Sequence, residues 1–133
     1  MSSVVADTHA LIWYLLDDAR LSARAGTALD EASAASFMIF SPTISLVEAT
    51  YLAEKGRITE RALSLLQQAL EDDGSPVQPI ELTLDIARAL RHNPRNSVPD
   101  LPDRIIAATA LALGVPLVTR DGKIRASGIE TIW

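Results

Sequence analysis

The sequence predicts an α/β fold with a central parallel sheet of four to five strands and helices on both faces. Short β-rich apolar runs alternate along the chain with longer apolar runs at helical spacing, which is the pattern of repeated strand–helix units. In addition, 48% of the 133 residues are hydrophobic, enough apolar surface for one well-covered core. We therefore expect one domain over residues 1–133.

The N-terminal third alternates strand and helix. Residues 4–6, Val-Val-Ala, predict a strand, and the leucines and isoleucine of residues 8–16 recur at helical spacing. Ser22 is a good N-cap for a second helix, which we expect to continue through Ala32. The β-rich residues 36–40 then predict the second strand.

Two helices and an edge strand are predicted next. Ser45 and Glu48 have the spacing of a capping box, which predicts a helix running to Lys55 before a terminating glycine. A second helix is expected over residues 59–71, and residues 77–80 predict the third strand. The proline in that strand favours an edge position, because it cannot donate a hydrogen bond to a neighbouring strand.

The C-terminal part repeats the same alternation. A helix is expected from Thr83 to about Arg91, followed by a loop over residues 92–99, which contain two prolines. Pro102 suits the first turn of a helix that Gly114 ends. The last two strands are predicted at residues 116–119 and 130–132.

Composition excludes several classes of protein. The chain has no cysteine, which rules out disulfides and thiolate metal sites. No apolar run reaches the ~18 residues of a membrane span, and the N-terminus lacks a secretion signal, so we expect a cytoplasmic protein that does not bind membranes. The formal net charge of −5 repels phosphate chains and argues against a nucleic-acid coat protein.

Four acidic residues are predicted to lie at one edge of the sheet. Asp7 and Asp121 each follow a strand, while Glu48 and Asp103 lie near the starts of helices. The carboxyl ends of parallel strands meet at one edge, which is where such folds place their sites. We therefore expect the four carboxylates to share a cleft.

Each acid also has a structural explanation when it is taken alone. Glu48 can complete a capping box, Asp103 suits the dipole of a helix's first turn, and Asp121 before a glycine suits a turn. Asp7 can cap the following helix, although Thr8 can do the same. If each acid had only its local structural role, the placement of all four at one predicted edge of the sheet would be a coincidence.

Carboxylates gathered in a partly dry cleft repel one another unless protons or cations neutralise them. Oxygen ligands without cysteine or several histidines select Mg²⁺ or Mn²⁺ over zinc. Such a cation can bind a phosphate and activate a water molecule, which is the chemistry of phosphodiester hydrolysis.

Four motifs carry a resemblance to a known family: residues 7–13 (DTHALIW), 45–48 (SLVE), 100–104 (DLPDR) and 119–121 (TRD). In this order they resemble the PIN-domain family and, within it, the VapC-type toxins of bacterial toxin–antitoxin pairs. The resemblance covers essentially the whole chain. It implies a PIN-like α/β/α sandwich, a Mg²⁺- or Mn²⁺-dependent endoribonuclease acting on RNA, a homodimer and a cognate antitoxin.

The resemblance also implies roles for individual residues. The family's acidic set corresponds to Asp7, Glu48, Asp103 and Asp121 as catalytic residues and metal ligands, with Asp100 as an additional metal ligand. Thr8 and Thr119 correspond to hydroxyls that support the site. The basic residues near the acids, Arg104, Arg120, Lys123 and Arg125, are candidates for holding RNA phosphates, and each could equally pair with a carboxylate or face solvent.

One departure from the pattern of related sequences is visible. Many relatives carry a histidine just before the segment that corresponds to residues 100–103, whereas this chain has Val98 and Pro99 there, which bears on substrate preference.

His9 could contact RNA, but we expect it to form a local hydrogen bond at the start of a helix. Trp13 and Tyr51 could stack on bases, but helical spacing among leucines favours a place in the core or at a dimer interface.

Two rival functions remain open at this stage. A phosphoacceptor receiver domain has the same general architecture, but it needs adjacent acids after its first strand and an aspartate after its third, and the residues here do not supply them. A PIN scaffold that binds RNA or protein without cutting is the other rival, and retention of all four acids argues against it.

The apolar residues of the two middle helices exceed what one helix pair usually buries, so we expect a partner helix to cover part of them. They are Ile44, Leu46, Val47, Tyr51, Leu52, Leu63, Leu66 and Leu70.

Overall fold

Five parallel strands form the centre of the molecule, and helices cover both of their faces. The structure is a computed structural model that describes residues 2–34, 37–92 and 98–133. Within these residues the elements are β1 (Val4–Ala6), α1 (Thr8–Leu15), α2 (Ala23–Ala32), β2 (Ile39–Pro42), α3 (Ile44–Glu54), α4 (Glu60–Glu71), β3 (Val77–Ile80), α5 (Leu84–Ala89), α6 (Leu101–Leu113), β4 (Leu117–Val118), α7 (Gly122–Ala126) and β5 (Thr131–Ile132). A short 3₁₀ turn, Leu90–His92, follows α5.

The strand order in the sheet is β3-β2-β1-β4-β5. The chain moves outward from β1 through β2 to β3, then returns to the other side of β1 for β4 and β5. The order therefore reverses between β1 and β4, and a crevice at such a reversal is where open α/β sheets bind their ligands. The order also differs from the 2-1-3-4-5 order of receiver-like proteins, so the fold excludes the rival receiver function.

The strands are buried on both faces. Val4 and Ala6 of β1 belong to a core formed with α1, α2 and α4, whereas Val5 faces a second core formed with α6 and α7. Leu117 and Val118 of β4 alternate in the same way. This period-2 alternation explains why the strand sequences are continuously apolar, since each residue faces one hydrophobic layer or the other.

Helix ends agree with the sequence in most places. The side chains of Ser22, Thr59 and Thr83 each accept a hydrogen bond from a backbone N–H in the first turn of α2, α4 and α5, respectively. Gly114 ends α6 in the left-handed conformation, with φ +68°. β3 lies at the sheet edge, as the proline in its sequence predicted.

Three local predictions were wrong. The capping box at Ser45 and Glu48 does not form, because α3 begins at Ile44 and places Ser45 inside the helix with a buried hydroxyl. The helix α7 was missed, because its five residues are too few to show a helical period. β2 continues to Pro42, beyond the predicted end at Phe40, and the predicted start at Ser36 lies outside the described residues.

The predicted apolar surplus on α3 and α4 is smaller than expected. Leu66 is fully buried, and Leu46, Leu63 and Leu70 pack against the core. Val47 and Tyr51 do remain exposed, at 53% and 61% of their surface.

Among the described residues, no helix combines the length and the apolar character needed to span a membrane.

The left-handed backbone at Gly114 yields a stability prediction. A β-carbon at Gly114 would meet no atom within 4 Å, so an alanine is disfavoured by backbone conformation alone. We expect Gly114→Ala to lower the free energy of unfolding by about 1 kcal/mol. Gly122→Ala is the matched control, since Gly122 has equally open surroundings but no positive φ. Equal urea midpoints for the two variants would contradict this explanation.

Candidate active site

A cleft of about 240 Å³ opens at the carboxyl edge of the sheet, where the strand order reverses. It is lined by the four predicted carboxylates together with one histidine, one tryptophan and one arginine. These residues are Asp7, Glu48, Asp103, Asp121, His9, Trp13 and Arg120. The structure thus brings together four acids that lie far apart in the sequence.

Asp7 and Asp121 are placed by the two central strands. Asp7 follows β1, and its backbone N–H donates to the carbonyl of Val118 in β4 at 3.0 Å. Its side chain caps α1 by accepting a hydrogen bond from the N–H of Ala10 at 2.8 Å. The Asp121 side chain caps α7 in the same way, accepting from two backbone N–H groups at 2.8 and 3.0 Å. Both acids are therefore held by helix N-termini.

The hydroxyl of Thr119 links these two acids. It is fully buried, accepts the backbone N–H of Asp121 at 3.0 Å and hydrogen-bonds the carboxylate of Asp7. Thr8 is placed differently from the sequence expectation: it is the first residue of α1, and Asp7 alone caps the helix. The buried Thr8 hydroxyl has no hydrogen-bond partner among the described residues.

A second set of acids meets near the start of α6. Oxygen atoms of Glu48, Asp100 and Asp103 all lie within 4.8 Å of one another. Asp100 caps α6 by accepting the N–H of Asp103 at 3.1 Å, so the start of this helix orients both acids. Glu48 comes from α3, which packs against α6. Asp100 does not line the cleft itself and is exposed.

Burial and neighbouring negative charge raise the pKa values of Asp103 and Asp7. Loss of hydration, followed by the negative charges of Asp100, Asp121, Glu48 and Asp7, raises the pKa of Asp103 from 3.8 to about 7. Burial also raises the pKa of Asp7, against the opposing effect of its hydrogen bonds to Thr119 and Ala10. Neighbouring carboxylates with raised pKa values in a cleft mark a candidate site for a cation.

The donor set fits a hard divalent cation. The cluster of Glu48, Asp100 and Asp103 offers only carboxylate oxygens, the type of ligand that Mg²⁺ and Mn²⁺ prefer. Two oxygens bound to one Mg²⁺ at about 2.1 Å lie no more than about 4.2 Å apart. The three oxygens of Glu48, Asp100 and Asp103 are therefore already near coordinating distance.

Three further residues line the cleft with the acids. The sequence had already suggested Arg120 as a residue that holds phosphate, whereas for His9 and Trp13 it favoured a local hydrogen bond and a place in the core or at a dimer interface. Trp13 is only 4% exposed, so its expected place in the core is correct, but its ring also forms part of the cleft wall. The guanidinium of Arg120 lies over this ring at 4.6 Å, and the ring of His9 lies 5.6 Å from it. The i, i+4 spacing of His9 and Trp13 on α1, just after Asp7, was the signal that could have revealed their common side of the cleft.

The other predicted basic residues are less directly placed. Lys123 and Arg125 are exposed on α7, next to the cleft but not among the residues that line it. Arg104 is partly buried and donates to the carbonyl of Leu90 at 3.1 Å, which orients it toward α5. Val98, at the position where many relatives have histidine, is buried in the second core.

The raised pKa of Asp103 yields a pH prediction for the metal-free protein. The folded state holds the proton more tightly than the unfolded state, so this stabilisation is full below about pH 4 and is lost as pH rises through 7. Asp103→Asn removes the charge that becomes unfavourable. In EDTA at pH 8 the variant should be more stable by roughly 1–2 kcal/mol after solvent screening, or by a few degrees in Tm.

The Tm difference between Asp103→Asn and the unmodified protein should grow from pH 5 to pH 8 in melting experiments. Asp73→Asn is the control, because it removes a carboxylate from an exposed position at the end of α4. A difference that stays constant over this pH range would contradict the assignment of a raised pKa to Asp103.

Comparison with known proteins agrees with this geometry. The family model described as PIN domain matches residues 4–128. Ribonuclease VapC22 of Mycobacterium tuberculosis is 33% identical over 127 residues, which cover 94% of this chain and 92% of that protein. The chain is thus a homologue of a VapC ribonuclease over nearly its full length.

Two solved structures are similar in fold. A toxin–antitoxin complex from Klebsiella pneumoniae contains a chain with a TM-score of 0.68 and 25% identity, matched over 98% of this chain and 97% of that chain. VapBC2 from Rickettsia felis, bound to a DNA fragment from its promoter, contains a chain with a TM-score of 0.69 and 17% identity, matched over 96% of each chain. The family resemblance inferred from the motifs is confirmed, and this chain belongs to the PIN-domain family.

Proposed function

We propose that this protein is a metal-dependent endoribonuclease and the toxin of a toxin–antitoxin pair. One observation carries the proposal: four carboxylates from separate segments line one cleft at the reversal of the strand order, and the pKa of Asp103 is raised to about 7. Homology to a VapC ribonuclease supports RNA as the substrate. We propose that the protein acts in the cytoplasm.

Asp7, Asp103 and Asp121, with Glu48 and Asp100, are the residues that would hold Mg²⁺ or Mn²⁺. When bound, such an ion supplies charge for the scissile phosphate and lowers the pKa of a water molecule. Glu48 lines the cleft from α3, and we propose that it binds a second metal ion or orients the attacking water. The hydrogen bonds from Thr119 and Ala10 hold the Asp7 carboxylate in one orientation before any ligand binds.

Arg120 gives the cleft a cationic group for the substrate. Its guanidinium is held over the ring of Trp13 and lines the same cleft as the acids. A phosphodiester in the cleft would meet this guanidinium, which is suited to phosphate oxygens. This guanidinium places one positive charge next to the acids in a chain whose net charge of −5 repels RNA in general. Lys123 and Arg125 on α7 are proposed to contact more distant phosphates.

An antitoxin is the proposed protein partner. The similarity to chains from toxin–antitoxin complexes supports this. Val47 and Tyr51 on α3 expose apolar surface one turn apart, on the helix that carries Glu48. A partner helix packed there could extend a basic side chain toward the acids, where a guanidinium can replace the charge of the metal. A homodimer also remains our prediction.

The first functional prediction concerns cleavage. Asp7→Asn and Asp103→Asn should each reduce Mn²⁺-dependent cleavage of a single-stranded RNA by at least a hundredfold, because each removes a ligand from the cluster. Neither should unfold the protein, since neutralising one acid also relieves repulsion. Gel assays of purified protein test this, with Asp73→Asn as the control. A fully active Asp103→Asn enzyme would contradict the site assignment, and an inactive unmodified protein would favour the non-cleaving scaffold.

Metal binding can be measured separately from activity. A ligand that binds only the folded state raises stability by about 2.7 kcal/mol at a hundredfold excess over its dissociation constant. Melts with and without Mn²⁺ should therefore differ for the unmodified protein. The difference should disappear in the Asp7/Asp103/Asp121 triple asparagine variant, whereas an unchanged shift would place the ion elsewhere.

The second functional prediction concerns inhibition. If an antitoxin helix packs on α3, Tyr51→Glu should weaken the complex at least tenfold without changing cleavage by the toxin alone. Tyr51 suits the test because it is 61% exposed, so the charge is tolerated in the fold. Leu84→Glu is the control, since Leu84 is 65% exposed on α5. Calorimetric titration with the antitoxin from the adjacent reading frame measures the effect, and equal affinities for the two variants would rule out this mode of binding.

A further inference from the structure

A second pocket lies directly beside the acidic cleft. It has a volume of about 170 Å³ and shares two of its wall residues, His9 and Trp13, with the cleft. We call it the flanking pocket. Its cationic side chains are Arg20 and Arg57, and its apolar lining includes Ile12, Ile58 and Ala62. Among the residues that line it in the described chain there is no carboxylate, in contrast to the neighbouring cleft.

Trp13 connects the two pockets through its cationic neighbours. The guanidinium of Arg120 lies 4.6 Å from the centre of the ring and lines the acidic cleft. The guanidinium of Arg20 lies 5.1 Å from the same ring and lines the flanking pocket. The ring also meets Trp133 edge-on at 6.0 Å, which fixes its orientation. A fixed indole thus presents one arginine to each pocket.

The two arginines of the flanking pocket differ in how they are held. Arg20 donates to both carboxylate oxygens of Asp18, at 3.0 and 2.8 Å, so its plane is fixed and its charge is largely neutralised. Arg57 is exposed and, among the described residues, takes part in no salt bridge. It follows α3 and stands just before α4. Arg57 is therefore the cation of this pocket that can bind an anion from solution.

The size and lining of the flanking pocket restrict what it can hold. Its volume is well below the roughly 300–1,000 Å³ of pockets for drug-sized ligands, which suits a single ring system. Ile12 and Ala62, each 2% exposed, and the partly buried Ile58 form the apolar part of its lining. A planar apolar group with an anion attached would match this surface and the adjacent Arg57. A nucleotide has that composition.

We propose that the flanking pocket binds the nucleotide next to the scissile phosphate, with its base against Ile12, Ile58 and Ala62 and its phosphate on Arg57. The inference rests on the proposed ribonuclease function, which places the scissile phosphate in the adjoining cleft. Trp13 contributes to both pockets, because the guanidiniums of Arg120 and Arg20 lie 4.6 and 5.1 Å from the centre of its ring.

A single-stranded nucleic acid explains the arrangement better than an acidic protein segment does. Bases and phosphates alternate along such a strand, and here a partly apolar pocket with two arginines adjoins a cleft with a third arginine. The shared wall of His9 and Trp13 lets neighbouring nucleotides of one strand occupy both. Stacking and apolar contact tolerate any base, so the pocket would add affinity without selecting a sequence.

Binding of a fluorescein-labelled, ten-nucleotide single-stranded RNA of mixed sequence tests the proposal. Fluorescence anisotropy in EDTA measures affinity while metal-dependent cleavage is prevented. Arg57→Ala should weaken binding about fivefold or more and reduce the magnitude of the slope of log K against log salt by about 0.7, the value for one lost phosphate contact. Arg57→Lys should restore most of the slope, since it keeps the charge.

Arg24→Ala is the matched control, because Arg24 is an exposed arginine on α2 that lines a different pocket. Equal effects of Arg57→Ala and Arg24→Ala would overturn the proposal, as would an absence of RNA binding by the unmodified protein. Both outcomes are independent of cleavage. RNA binding that depends on Arg57 in a protein that cuts no RNA would overturn the nuclease function and leave the pocket standing.

The base is tested with a second ligand. An abasic strand of the same length should bind the unmodified protein about fivefold or more weakly, and Arg57→Ala should weaken binding of both strands by the same factor. If polyglutamate or the abasic strand binds as tightly as the RNA, the site recognises charge alone, and the proposed base-binding role is wrong.

Discussion

Carboxylates that share a half-dry cleft repel one another, and local structure offsets this repulsion at most of them. Asp7, Asp100 and Asp121 each cap a helix and accept backbone N–H groups. These hydrogen bonds favour the charged form, so part of the cost of gathering the acids is met before any cation arrives. Among the described residues, no hydrogen bond of this kind lowers the pKa of the Asp103 carboxylate. Burial and the charges of the neighbouring acids therefore raise its pKa to about 7.

The same helix starts set the geometry of the site. Asp7 and Asp121 follow adjacent strands at the point where the strand order reverses, and the hydroxyl of Thr119 binds both. A cap residue cannot move without releasing the first turn of its helix, so the acids are held as rigidly as the helices. This preorganisation suits a site that must hold cations and a phosphate in a defined arrangement.

Positive charge around the cleft is organised by one aromatic side chain. Trp13 lies two turns along α1 from the cap at Asp7, buried against the core, and its ring carries the guanidiniums of Arg20 and Arg120. Arg120 therefore places one positive charge in the acidic cleft, even though the whole chain has a net charge of −5, while Arg20 lines the flanking pocket and is paired with Asp18. Local charge rather than total charge decides whether an anionic strand can approach such a site.

Strand–helix alternation, most helix caps and the four clustered acids followed from the sequence, because each depends on local periodicity or on the rule that parallel strands end at one edge. The five-residue α7 and the start of α3 did not, since neither leaves a periodic signal. The part of the cleft formed by His9, Trp13 and Arg120 depends on contacts between α1 and the segment after β4, which lie more than a hundred residues apart in the chain. Residue types thus set which chemistry is available. Packing determined which acids lie close enough to share one ion and which arginine lines their cleft, because those distances arise only when remote segments meet.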